Sequence, residues 1–144
     1  MTVLVVEDEV IIAYCSAAML EDAGYAVLGP AHTSAEALRL ARSRRPDVAL
    51  IDIDLETPDA GIGVARQLHA LYGTAIVFTT GRYEQAQLHS DIAVAALVKP
   101  FDPAELPRIV ERAGARLRQS RRSSATPSRW ASFTGFPAHN GSGA

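Results

Sequence analysis

Four or five short apolar runs, among them VLVV, VALI and AIVF, alternate along the chain with stretches whose apolar residues return every three or four positions. Alternating signals of this kind describe strand-helix units that build a parallel sheet, an α/β fold. The runs are apolar throughout, as expected for strands covered by helices on both faces. The pattern places five strands, at 2–6, 25–29, 47–51, 75–79 and 93–98.

Between them the spacing predicts helices. In 9–24, Ile12, Cys15, Met19 and Ala23 form a core-facing stripe and Gly24 is a stop signal. In 34–45, Thr33 is the N-cap, Ala37, Leu38 and Ala41 face inward, and Pro46 lies beyond the end. A loop rich in Thr, Pro, Asp and Gly follows at 56–63, then a helix marked by Val64, Leu68 and Leu71. A short, weakly apolar helix is expected at 83–90 and a final one at 102–119. Pro103 suits its first turn and Pro107 does not suit its interior, so this helix should start late or bend.

From residue 120 the period is lost, and SRRSSATPSRWASFTGFPAHNGSGA fills with Ser, Gly, Pro and Arg. The expectation is one domain, 1–119, followed by a disordered tail, 120–144. Arg121, Arg122, Arg129 and Trp130 could touch nucleic acid or a partner, but a solvated tail is the simpler reading.

Composition narrows the class. A chain of 144 residues with 48% hydrophobic and 21% charged residues can bury a core without staples, and its net charge of -2 gives no general attraction to nucleic acid. The one cysteine, Cys15, excludes an intramolecular disulfide and is expected to be a buried small hydrophobe in a reducing, cytoplasmic setting. The first apolar run starts at Val3 without a basic leader and meets Glu7 and Asp8, so neither export nor a membrane span is expected.

Ligands of open parallel sheets bind outside the carboxyl ends of the strands. Here those ends carry Glu7 and Asp8, then Asp52, then Thr79 and Thr80, then Lys99. Crowded carboxylates repel unless a cation sits among them, and a hard divalent ion, Mg²⁺ first, takes oxygen ligands beside phosphate. With such an ion, an ionised aspartate can attack a phosphoryl group while the metal and a lysine neutralise its oxygens. Thr80 would donate a hydrogen bond to one of those oxygens, with Gly81 leaving the approach clear.

Over residues 2 to 118, VLVVEDE, LIDIDL, TG and LVKPF resemble, in order and spacing, the receiver domain of two-component response regulators. The resemblance implies a doubly wound (βα)5, flavodoxin-like fold of five parallel strands. It also implies that Asp52 is the phosphoacceptor and that Glu7 and Asp8 hold Mg²⁺, Glu7 through water, with the Asp54 main-chain carbonyl as a further ligand. Thr80 and Lys99 would bind the phosphoryl oxygens, and the Lys99-Pro100 bond would be cis. The side chain of Asp54 would point to the site mouth and tune hydrolysis.

One position departs from the family. Where most receivers carry an aromatic three residues before the lysine, this chain has Ala96. VFTTGRYE and PFDPAEL are similar to a subgroup of stand-alone receivers with a Phe-Ala-Thr-Gly motif that lack this aromatic. Signalling would then rest on movement around Arg82 and Tyr83. The implied partner is a sensor histidine kinase or histidine phosphotransfer protein, docking on the first helix, where Val10, Ile11, Tyr14 and Ala18 extend the apolar surface beyond what packing needs. No DNA-binding output domain is expected. A homodimer through strand five and the last two helices is the family's usual one, but Ala96 and the short fourth helix give no ground for assuming it. The alternative reading is a small hydrolase that forms an aspartyl phosphate, using Asp52 and Asp54 as nucleophile and general acid. Such enzymes usually carry the pair on the first strand and have more chain.

Overall fold

The structure, a computed structural model, describes residues 1–123. Five strands, β1 Thr2–Val6, β2 Ala26–Ala31, β3 Val48–Asp52, β4 Ala75–Thr80 and β5 Ala93–Val98, form one sheet in the order β2-β1-β3-β4-β5. Every neighbouring pair is parallel. The helices are α1 Val10–Asp22, α2 Ser34–Ser43, α3 Ala60–Tyr72, α4 Tyr83–Gln87 and α5 Leu106–Ser123. α1 packs with α5 and α2 with α3, so both faces of the sheet are covered. β1, β3 and β4 are buried along their whole length, which is why they read as unbroken apolar runs. The chain runs from β1 out to β2 and returns past β1 to β3. The strand order therefore reverses between β1 and β3, where Glu7 and Asp52 emerge.

Several elements differ from expectation. β2 continues through Gly29 and Pro30, two residues that normally end a strand. Its place at the sheet edge permits the proline, and the register with β1 shifts between Leu4 and Val6. Gly29 has φ +93°, and a Cβ there would come 2.7 Å from the Ala31 nitrogen. Both the Gly29-Pro30 and the Lys99-Pro100 bonds are cis. α3 begins at Ala60, inside the stretch read as loop, and Leu71, one of the three residues that marked the helix, is 63% exposed.

The inward stripe of α1 is Ala13, Ser16, Ala17 and Leu20, one position away from the expected one. Cys15 is exposed, not buried, and so is Ala23, while Ile12 and Met19 are half-buried. Small residues let the helix approach the sheet closely and leave its bulky ones outside. Thr33 does cap α2, its hydroxyl accepting from the Glu36 N–H at 3.1 Å. The last helix starts late: Asp102 caps a 3-10 turn, Pro103–Glu105, and Pro107 falls in the first turn of α5, where no N–H is needed. α5 then runs to Ser123, so residues 120–123, assigned to the tail, are helical. The remainder of that predicted tail, with Arg129 and Trp130, lies outside the described residues. Among the described residues no helix is long and apolar enough to cross a membrane.

Candidate functional site

β3 ends in Asp52, which is 5% exposed and paired in register with Thr79 of β4. Its Oδ1 accepts the Asp54 N–H at 3.0 Å, the short local bond that turns the chain out of the strand. Its Oδ2 accepts from Lys99 Nζ at 3.1 Å. Lys99 arrives from the end of β5, its own N–H bonded to the Thr80 carbonyl. The ammonium also meets Glu7 Oε1 at 2.9 Å and Glu9 Oε1 at 3.2 Å. One cation thus faces three carboxylates, two of them buried.

Burial, only partly offset by that one cation, sets the protonation of the site. Burial pushes the Glu7 carboxyl up to about 7, against the opposing hydrogen bonds from Lys99 and the Glu9 N–H. Burial raises Asp52 as well, and Lys99 only partly offsets it. Burial would lower the Lys99 pKa, but its carboxylate partners outweigh that and raise it. Ligand atoms of Glu7, Asp8 and Asp52 lie within 4.8 Å of one another, with Asp8 exposed at the rim. Three carboxylate oxygens this close, with only one ammonium beside them, fit a small hard cation such as Mg²⁺.

The structure therefore brings Glu7, Asp8, Asp52 and Lys99 together. Thr80 stands at the same rim, 1% exposed, but its hydroxyl accepts the Arg82 N–H at 2.8 Å and donates to the Arg82 carbonyl at 3.3 Å. The Asp54 side chain is engaged by Arg82. Its oxygens accept from Arg82 Nη2 at 2.6 Å, Arg82 Nε at 3.2 Å and the Asp59 N–H at 2.9 Å. Burial raises the Asp54 pKa, but the bonds from Arg82 and the Asp59 N–H together outweigh it and leave the carboxyl below its usual range.

Sequence reasoning missed three residues around this rim, Glu9, His32 and Gly61, and the carboxylate partners of a fourth, Arg82, which it named only for movement of its loop. Glu9, the third acid of VEDE, reaches Lys99. His32, at the end of β2, bonds the Glu7 carbonyl through Nδ1 at 2.9 Å and lies against the exposed Tyr14 ring. Arg82 engages both Asp54 and Asp59. Gly61 donates its N–H to the Ile53 carbonyl at 2.8 Å, and a Cβ on it would fall on the Asp52 carbonyl. A glycine within the turn-rich stretch, shortly before the predicted helix, was the available signal for such a close approach. A separate hollow of about 850 Å³ is lined by residues such as His69, Thr74, Asp91 and Ile92 and contains none of this chemistry.

Comparison with known proteins points the same way. A sequence model of the response regulator receiver domain matches residues 3–111. The chain is 32% identical over 113 residues to the phyllosphere-induced regulator PhyR of Methylorubrum extorquens, covering 77% of this chain and 42% of that protein. It is 34% identical over 121 residues to the transcriptional regulatory protein PdtaR of Mycobacterium tuberculosis, covering 81% and 58%. The chain thus spans about half the length of these relatives. Among solved structures, the receiver domain of NtrX from Brucella abortus superposes with a TM-score of 0.72 at 27% identity, covering 78% of this chain and 98% of that one. The signal receiver domain of a modulated diguanylate cyclase from Desulfovibrio desulfuricans gives 0.73 at 34% identity, covering 83% and 97%.

Proposed function

The chain belongs to the family of response regulator receiver domains, and we propose that it catalyses its own phosphorylation at Asp52 and works as a phosphorylation switch. The observation that carries this reading is the buried Asp52 carboxylate held 3.1 Å from Lys99 beside a second buried acid, Glu7. An oxygen of Asp52 forms a bond to phosphorus as the P–N bond of a donor phosphohistidine breaks. The electron pair leaves with the imidazole nitrogen, which takes up a proton. Lys99 already lies against Asp52 and meets the charge on the transferred oxygens. Mg²⁺, when held by Glu7, Asp8, Asp52 and the Asp54 main-chain carbonyl, supplies the remaining positive charge.

The donor is a sensor histidine kinase or histidine phosphotransfer protein. Its docking face is the outer side of α1, where Val10, Ile11 and Tyr14 are 58%, 79% and 56% exposed beside the site. Relay of the phosphoryl group, or its loss to water as a phosphate sink, uses the same chemistry. The Asp54 side chain is engaged by Arg82 and so is poorly placed to serve as the general acid of a phosphoester hydrolase.

Incubation with acetyl phosphate and Mg²⁺, read by intact mass, tests the proposal. One phosphoryl group is expected on the wild type and none with chelator. Steady turnover of a phosphomonoester that depends on Asp54 would favour the hydrolase instead.

A further inference from the structure

Arg82 touches the site twice. Its backbone N–H and carbonyl both engage the Thr80 hydroxyl, at 2.8 and 3.3 Å. Its guanidinium crosses to the loop between β3 and α3, where it holds Asp54 through two nitrogens and Asp59 Oδ1 at 2.8 Å. Asp59 has left-handed backbone, φ 66°, uncommon for a residue with a side chain. It occupies the N-cap position of α3, yet its carboxylate makes no capping bond. The group that would ordinarily satisfy the helix end is committed to Arg82.

We propose that Arg82 and Asp59 clamp the β4-α4 loop to the β3-α3 loop and so hold Thr80 in its resting orientation, which makes both of them positioning residues for phosphoryl transfer. The inference rests on the reading of Asp52 as acceptor and Thr80 as the hydroxyl that meets the phosphoryl group. A hydroxyl has one hydrogen to donate, and in the resting protein it goes to the Arg82 carbonyl. Thr80 must give up that bond to donate to a phosphoryl oxygen. The Arg82 backbone follows less readily while its side chain is held by two carboxylates. The clamp charges are roughly half exposed, so the restraint is modest and weakens with salt.

The test uses Asp59→Asn, which tolerates left-handed backbone, together with Arg82→Gln, Arg82→Lys and the double variant Asp59→Asn/Arg82→Gln. Phosphoryl gain from acetyl phosphate with Mg²⁺ is followed by intact mass. Arg82→Gln should gain the group about three- to five-fold faster than wild type, and Asp59→Asn, which keeps the Asp54 bonds, about two-fold faster. The double variant should be no faster than Arg82→Gln, and Arg82→Lys should fall between wild type and Arg82→Gln. Raising the salt should speed the wild type and leave the double variant unchanged. Independently of any phosphorylation, the Arg82 amide should exchange with solvent several-fold faster in Asp59→Asn than in wild type, measured by NMR. Unchanged Arg82 exchange in Asp59→Asn overturns the clamp, as does a double variant whose acceleration is the product of the single effects. A wild type that takes up no phosphoryl group but shows the exchange difference retains the clamp and refutes only the acceptor assignment.

Discussion

Replacing Gly61 with alanine probes how the acceptor strand is seated. Gly61 lies in the first turn of α3, and an added Cβ would coincide with the Asp52 carbonyl oxygen and stand 2.8 Å from its carbon. Neither side can yield cheaply. Asp52 is the last residue of a buried strand paired to β4, and the Gly61 N–H is bonded to the Ile53 carbonyl. Elsewhere in an exposed helix the same change gains about 1 kcal/mol from propensity. Here the sign reverses, because forcing a methyl group against packed backbone costs about 1–3 kcal/mol. Gly63 is the internal control: it is exposed on the same helix, and nothing lies within 4 Å of its Cβ position. In thermal melts Gly61→Ala should lower Tm by roughly 5–10 °C for a cost near 2 kcal/mol, whereas Gly63→Ala should leave it unchanged or raised. Phosphoryl gain should also slow in Gly61→Ala, since the helix can relax only by displacing Asp52. Equal Tm values for the two variants would refute the reasoning.

Other outcomes follow from the charge balance and the sheet. Without metal, folded Glu7 retains a proton between its ordinary pKa near 4.5 and about 7 that the unfolded chain releases, so stability should fall as pH rises through that window. Urea midpoints at pH 5.5 and 7.5 should show this fall, Mg²⁺ should reduce it, and Glu7→Gln should flatten it; equal slopes for wild type and variant would count against it. Lys99→Met leaves Glu7 and Asp52 facing each other without their ammonium and should cost about 3 kcal/mol at pH 8 in chelator, less at pH 5 where the acids are protonated. An identical loss at both pH values would contradict the ion-pair account. Ala96 is wholly buried and in register with Phe78, the largest of the fully buried side chains, so Ala96→Tyr should destabilise by about 1–3 kcal/mol. An unchanged urea midpoint would mean that the side chain can turn outward.

The legible parts of the chain were those where burial is total. β1, β3 and β4 are covered on both faces, so their position and their polar ends could be read without knowing their neighbours. Order and spacing then placed Glu7, Asp8, Asp52, Thr80 and Lys99 on one rim, and the structure puts them there. Helix α1 was harder, because VIIAYCSAAMLED has almost no polar face to orient it. The apolar period admits neighbouring stripes, and the choice fell to the small residues Ala13, Ser16 and Ala17, not to Ile12 and Cys15. β2 was cut short at Gly29 because breakers are read locally, while its tolerance of Pro30 comes from being an edge. The Arg82 clamp was out of reach: Asp59 and Arg82 are 23 positions apart and share no periodicity, and only the fold brings their loops together.

The central claim is that the phosphoryl group resides on the Asp52 carboxylate as an acyl phosphate. After incubation with acetyl phosphate and Mg²⁺, borohydride reduction and peptide mapping read that bond directly, since reduction converts only an acylated aspartate to homoserine. The account predicts conversion at position 52 alone, absent in Asp52→Ala. Conversion at Asp54 or Asp8, or a phosphoryl group that resists reduction, would contradict it.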